Sequence, residues 1–447
     1  MLRIRRPGHL LDMTMTDHAG ATPSAAAPQS KTLNSPARVL TASLVGTTIE
    51  FFDFYVYATA AVLVFPKLFF PAGNDTAALL ASFAVFSIAF FARPFGAILF
   101  GHFGDRVGRK TTLVAALLTM GISTVVIGLL PTHAQIGIAA PALLVLCRFG
   151  QGLGLGGEWG GAVLLATENA PPGKRNWYAM FPQLGAPLGL FLASGTFWLL
   201  LHFVSPEAFL SWAWRIPFLA SIILIVIGLW VRLSITETPE FQKAIDKAER
   251  VAVPGIELLK NHKRSLLLGT LVGLMTFVFF YVCTAYLLSY NVGVAKMSLL
   301  DALKVQIAGA IAFGTTNILA GLLGDKLGRR NLLIANCLMV IVFSFFVAPL
   351  LGGGIAGIYA FALIGLAIFG INYGLIGAAL ASPFPTAVRY TGSSMTFNMA
   401  SIFGASLAPY IATYLQANYG LAYIGYYVLA AAVITLIAIF ASAKHEV

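Results

Sequence analysis

Charge is what this sequence has least of. Asp, Glu, Lys and Arg make up only 10% of its 447 residues, where an ordinary soluble protein has about a quarter. That shortage, set against 58% hydrophobic residues, excludes a water-soluble globule. Cysteine is nearly as scarce: Cys147, Cys283 and Cys337 lie far apart inside apolar segments. Their spacing fits neither a disulfide framework nor a metal site, so they read as small buried side chains. No nucleophile–base pair or metal-ligand constellation occurs in the apolar segments, so no enzyme, metal site or bound cofactor is expected. The first 36 residues carry Arg3, Arg5 and Arg6, then an Ala/Pro/Ser/Thr tract. They hold no apolar run of the kind a signal peptide needs, and a disordered cytoplasmic tail is expected over 1–36.

What is present is hydrophobic length. Stretches of about 20 apolar residues, each able to cross roughly 30 Å of hydrocarbon as a helix, recur along almost the whole chain. They give about twelve spans, near 39–65, 76–101, 111–131, 140–168, 177–203, 212–233, 264–290, 299–323, 331–350, 354–382, 392–416 and 420–442. The formal charge of +11 would suit a nucleic-acid partner if the basic residues formed a stripe. They lie instead in the short loops, so the lipid bilayer is the expected partner and nucleic acid is not. Alternate loops hold Arg106, Arg109 and Lys110; Lys174 and Arg175; Lys243 to Arg264; Lys326, Arg329 and Arg330; and Arg389. Basic loops stay in the cytoplasm, which places both termini there.

The polar stretch 234–263 divides the spans six and six. Its Thr238-Pro239-Glu240 opening has helix-start chemistry, so a short surface helix carrying Phe241 and Ile245 is expected. The domain reading is a tail (1–36), a first half (37–233), a cytoplasmic linker (234–263) and a second half (264–447). The halves repeat a motif: Gly101-His-Phe-Gly-Asp105-Arg106-Val-Gly108-Arg109-Lys110 aligns with Gly321-Leu-Leu-Gly-Asp325-Lys326-Leu-Gly328-Arg329-Arg330. Each copy follows the second span of its half. The glycines permit a tight turn, the aspartates can cap a following helix, and the arginines sit at headgroup level.

This motif, with Arg148-Phe-Gly-Gln151-Gly-Leu-Gly154 in the fourth span, resembles the signatures of the major facilitator superfamily. A closer resemblance, to the metabolite:proton symporter family, rests on five runs: Glu50-Phe-Phe-Asp53-Phe-Tyr55, Arg93-Pro-Phe-Gly96, Gly156-Gly-Glu158-Trp-Gly-Gly-Ala162, Trp214-Arg-Ile-Pro-Phe218 and Phe384-Pro-Thr-Ala-Val-Arg-Tyr-Thr-Gly392. Ser382 departs from it, because relatives often have an acid there. The resemblance implies an all-α membrane protein of about twelve helices in two six-helix pseudo-repeats, with substrate bound between the halves. It implies gating by Asp105, extended to Arg106, Arg109, Asp325 and Arg329, and a part for Arg148 in proton coupling. Family members move organic acids or zwitterions such as proline and betaine.

The ionisable residues inside the spans point the same way on physical grounds. Each costs about 2.5–3.5 kcal/mol at a helix centre unless paired. Glu50 and Asp53, spaced i and i+3 with Tyr57 one turn beyond, share depth with Arg93 and Glu158; Arg148 is expected nearer the outer side. Acids beside a permanently charged arginine supply opposing influences on protonation, so the proton is assigned to Glu50, Asp53 and Glu158 with Arg148. Substrate contacts are expected from Arg93, Arg148, Tyr57, Gln151, Tyr281 and Thr284. The run Gly152–Gly157 formally matches a dinucleotide fingerprint but follows no strand. Its glycines, with Gly150 and Gly160, read as close helix-packing faces. The expected protein is a monomeric inner-membrane symporter importing a small organic acid or zwitterion with a proton. A proton-coupled exporter of drugs or metabolites on the same fold is the alternative, and a non-transporting sensor is a third.

Overall fold

The computed structural model describes residues 36–70, 73–107, 109–156, 163, 166–167, 170–234, 254–385 and 388–443. Among them there is no strand, and twelve spans follow the hydropathy closely. The first half holds α1 (Pro36–Leu63), α2 (Asp75–Val107), α3 (Arg109–Leu129), α4 (Ala139–Gly156), α5 (Arg175–Gln183, resumed as Gly185–Phe203) and α6 (Ile216–Ser234). The second half holds α7 (Lys263–Tyr281, a π turn at Val282–Tyr286, then Leu287–Gly293), α8 (Leu299–Leu327), α9 (Arg329–Ser344) and α10 (Gly354–Ala381). It closes with α11 (Arg389–Ser401, a π turn at Ile402–Ser406, then Ala408–Tyr419) and α12 (Leu421–Ala441).

Eight of these helices are long and apolar enough to cross a bilayer by length and composition. The other four are α1, which carries Glu50 and Asp53; α3, whose apolar part is short; α9, with 16 residues; and the interrupted α11. Start and stop chemistry is local. Pro36 opens α1 at a position where its missing N–H is not needed. The Asn74 side chain accepts from the backbone N–H of Thr76 and Ala77 at 2.8 and 3.2 Å before α2, and Ser298 does the same for Asp301 before α8. Gly328, at φ +84°, makes the α8–α9 turn in a conformation that favours glycine.

Close approach explains the glycine-rich α4. A Cβ on Gly152 would strike the Ala89 backbone of α2, and one on Gly156 would strike the Arg93 backbone. Gly150 and Gly154 face Ser123 and Met120 of α3 in the same way. The two small-residue faces therefore seat α4 against two neighbours at once; Gly160 lies outside the described residues. The Trp-Arg-Ile-Pro-Phe run is a brace. Arg215 donates to the carbonyls of Gly128 and Leu130 at 2.9 and 2.7 Å, holding the end of α3, while fully buried Trp214 packs on Phe65, Phe69 and Phe218.

The halves meet where α5 packs on α8 and α10 and where α2 packs on α11, with α1 touching α7. Gly321 lies against Met180 and Gly324 against Asn176, so α5 and α8 pack closely where α5 begins and α8 ends. Several expectations fall outside the described residues: the tail, the helix carrying Phe241 and Ile245, and Glu158. In the linker range the structure instead places a helix at Pro254–Asn261, whose Leu258 packs with Phe384 and Val388. The three cysteines are buried and free.

Candidate functional site

Two guanidinium groups sit in the middle of the first half and lean on one aromatic ring. Arg93 of α2, 5% exposed, has Cζ 5.1 Å from the Phe54 centroid and 4.8 Å from that of Phe90. Arg148 of α4 is fully buried, 4.5 Å from Phe54, 4.1 Å from Tyr57 and 4.8 Å from Phe86. Ring quadrupoles offset part of the cost of burying these charges. Both guanidinia keep an unused donor, Arg93 Nε and Arg148 Nη2. Both guanidinia touch Phe54, because α4 packs glycine-to-backbone against α2, but they are offset by about one turn: Arg148 reaches on to Tyr57 of α1 and Phe86 of α2, where Arg93 meets Phe90.

From Arg148 a chain of hydrogen bonds crosses the half. Nε donates to Phe86 O at 3.2 Å and Nη1 to Gln151 Oε1 at 2.9 Å; Gln151 Nε2 donates to Thr124 Oγ1 at 2.8 Å. Thr124 sends its own proton to Met120 O at 3.0 Å. Facing Thr124 is Asp53 of α1, 1% exposed, whose Oδ1 accepts from Ser221 of α6 at 2.5 Å.

Glu50, one turn before Asp53, looks elsewhere. With Arg93, Phe51 and Leu155 it lines a small cavity closed from the second half by Phe397 and Asn398, and Asn398 reaches back to Gly156 O at 3.4 Å. The sequence reading put Glu50, Asp53 and Arg93 in a single cluster, and the structure divides it. Residues three apart on a helix diverge by roughly 60°, enough to aim Glu50 between the halves and Asp53 into the first half. Glu50 and Arg93 remain within electrostatic range of each other.

The remaining expected contacts scatter. Tyr281 of α7 enters the first half's aromatic cluster, its ring 5.6 Å from Phe86 and 5.7 Å from Phe90, with both arginines in electrostatic range. Tyr57 lies beneath Arg148 and its hydroxyl has no hydrogen-bond partner, although Asp53 is one turn away on the same helix. Gln151 is a link in the internal chain. Thr284 turns its hydroxyl onto Phe280 O of its own helix at 2.8 Å. Phe54, Thr124, Ser221 and Asn398 were missed by sequence reasoning. Only Phe54, between Asp53 and Tyr55, had a signal in its position.

At the Arg175 end of α5 and the Leu327 end of α8 the halves are latched. Asp325 accepts from Asn176 N and Nδ2, both at 2.9 Å, and from Trp177 N at 3.0 Å. The second copy of the repeated motif thus caps the first turn of α5 across the interface. Arg329 donates from Nη2 to Ser382 Oγ at 2.8 Å. Deeper along α5, Gln183 donates to Tyr373 O at 3.0 Å and its carbonyl accepts from Asn317 at 3.4 Å. The side chains of Asp105, Arg106 and Arg109 lie outside the described residues.

Two helical repeats meeting at a buried, charged centre, with a polar latch at one end, form the architecture of a membrane transporter of the major facilitator fold rather than an enzyme. Residues 39–253 match the sugar (and other) transporter family. Over 420 residues, covering 93% of this chain and 95% of the other, the sequence is 55% identical to the inner membrane metabolite transport protein YhjE of Escherichia coli strain K12. It is 36% identical to the shikimate transporter of the same organism, over 87% of this chain and 90% of that one. With the proline/betaine transporter of Salmonella typhimurium strain LT2 the identity is 34%, over 90% and 82%. A crystal structure of a D-xylose–proton symporter superposes with a TM-score of 0.70 at 18% identity, covering 91% of this chain and 97% of that one. The chain belongs to the major facilitator superfamily, and within it to the metabolite:proton symporter family.

Proposed function

We propose that this inner-membrane protein is a proton-coupled symporter that imports a small organic acid or zwitterionic metabolite by alternating access, as a monomer with both termini cytoplasmic. The observation that carries the reading is the division of charge at the centre. Arg93 and Glu50 line a cavity between the halves, while Asp53 and Arg148 are enclosed behind it and joined through Gln151, Thr124 and the facing carboxylate. Shikimate, proline and betaine, the solutes in the names of the relatives, share a carboxylate. Arg93, with an unused donor and a planar fork, suits that group; Glu50 suits the ammonium of a zwitterion. Asp53 is the proton carrier in this reading, because it is sequestered from the cavity yet in line with Arg148. Glu158 remains a second candidate on sequence grounds. The domain division at 234–263 follows from the same scheme, with each half rocking as a unit about the α5–α8 and α2–α11 contacts.

Transport in proteoliposomes tests this. With an inward proton gradient, radiolabelled shikimate, proline and glycine betaine are offered in turn, and at least one is expected to accumulate. Asp53→Asn should abolish gradient-driven accumulation and leave counterflow exchange; Arg93→Gln should damage both, since it removes a substrate partner. Outward movement of hydrophobic cations, with no uptake of any carboxylate, would overturn the symport reading.

A further inference from the structure

We infer that Ser221 of α6 is a positioning residue for the proton site, setting the pH range over which Asp53 is loaded and unloaded. The inference rests on the reading of Asp53 as proton carrier and extends it to a residue with no ionisable group of its own.

Three observations lead to it. A hydroxyl in the middle of a helix ordinarily bonds to a carbonyl three or four residues earlier, as Thr124 does to Met120 and Thr47 to Ser43. Fully buried Ser221 instead sends its proton across to α1, at 2.5 Å from Asp53 Oδ1, the spacing of a hydrogen bond to a carboxylate. Second, the groups that reach Asp53 among the described residues are two hydroxyls, Ser221 bonded to Oδ1 and Thr124 facing the carboxylate with its own proton on Met120 O, so Ser221 makes the short, direct donation. Third, no charged group touches Asp53 directly. Of the elements packed round it, α4 presents Arg148, held away by Gln151 and Thr124; α2 presents Arg93, which faces the cavity; α1 itself carries Glu50, which faces the cavity too. From α3 and α6 come only the hydroxyls of Thr124 and Ser221, and the buried face of α5 is apolar apart from Ser194 and Gln183.

A hydroxyl can serve both protonation states. It donates to the carboxylate; when Asp53 is protonated it can rotate, accept the carboxyl proton and give its own to the carbonyl of its preceding turn. Donation to the charged form favours that form. Removing the hydroxyl takes away the direct donor to Oδ1 and shifts the balance toward the protonated state, so proton loading persists to higher pH and unloading into the cytoplasm slows.

The test is the pH profile of gradient-driven uptake in proteoliposomes for wild type, Ser221→Ala, Ser221→Cys and Ser221→Thr, at matched folded protein, with Asp53→Asn alongside. The expected result for Ser221→Ala is a half-maximal pH raised by about one unit, the size set by one hydrogen bond to a charged group. The maximal rate should fall several-fold, and counterflow exchange should stay within about twofold of wild type. Ser221→Cys, with its weaker donor, should lie between, and Ser221→Thr should restore the wild-type profile. A Ser221→Ala or Ser221→Cys profile whose midpoint does not move overturns the inference, even where the rate falls, because a purely structural role would lower the rate alone. Accumulation by Asp53→Asn at the wild-type level would instead remove the proton-carrier reading, and Ser221 with it.

Discussion

Asp325→Asn tests the latch between the halves. The carboxylate takes three hydrogen bonds from the start of α5, two of them from backbone N–H groups at 2.9 and 3.0 Å, and so acts as a helix cap supplied from the opposite half. Losing a cap of this kind costs about 0.5–2 kcal/mol, and losing the negative charge beside the helix N-terminus removes about 0.3–1 kcal/mol more. The amide retains one acceptor oxygen, so a net loss of about 1.4 kcal/mol is a fair central value, equivalent to about tenfold in the balance between the latched and unlatched arrangements of the two halves. Met180 reports the change, because it is 1% exposed and packs on Gly321 of α8 only while the two helices are together. With Cys147, Cys283 and Cys337 replaced by alanine, Met180→Cys should be alkylated by a polar maleimide about tenfold faster in the Asp325→Asn background. Substrate affinity should change much less. An unchanged labelling rate in folded protein would refute the argument, since the cap would then contribute nothing to closure.

Other outcomes follow from single contacts. Ser382→Glu should raise the apparent melting temperature, because Arg329 Nε lacks a partner while Nη2 already points at position 382, and hydrogen bonds to charged groups contribute about 1.5–3 kcal/mol; thermal unfolding in detergent checks it. Gly152→Leu should prevent recovery of monodisperse protein by size-exclusion chromatography, because even a Cβ there meets the Ala89 backbone and overpacking costs about 1–3 kcal/mol or more. Arg215→Ala should lower the melting temperature without altering substrate selectivity, since the side chain binds two carbonyls at the end of α3.

The architecture was legible because lipid imposes it: a long apolar helix satisfies its own backbone across hydrocarbon, so hydropathy and the polar loops between apolar stretches mark twelve segments, eight of which pass on length and composition alone. The repeated Gly-Asp-Gly-Arg motif likewise gave the two halves and Gly328's turn. Burial of Glu50, Asp53 and Arg93 also followed from sequence, because the insertion cost of a charge opposes a lipid-facing position; Glu158, expected with them, lies outside the described residues. Counting residues along a span fixes depth to within about a turn, but it leaves open which neighbour a side chain meets. That depends on how helices are rotated and how closely they pack. Glycine-to-backbone contact between α4 and α2 brought Arg148 to the ring of Phe54 beside Arg93, and the roughly 60° between Glu50 and Asp53 sent them to different partners. Ser221 and Thr124 carry no sequence signal at all, since a hydroxyl in an apolar helix usually satisfies itself on its own backbone. Only the packing of α6 against α1 turned the Ser221 hydroxyl onto Asp53, and only the packing of α3 with α4 and α6 set Thr124 facing it.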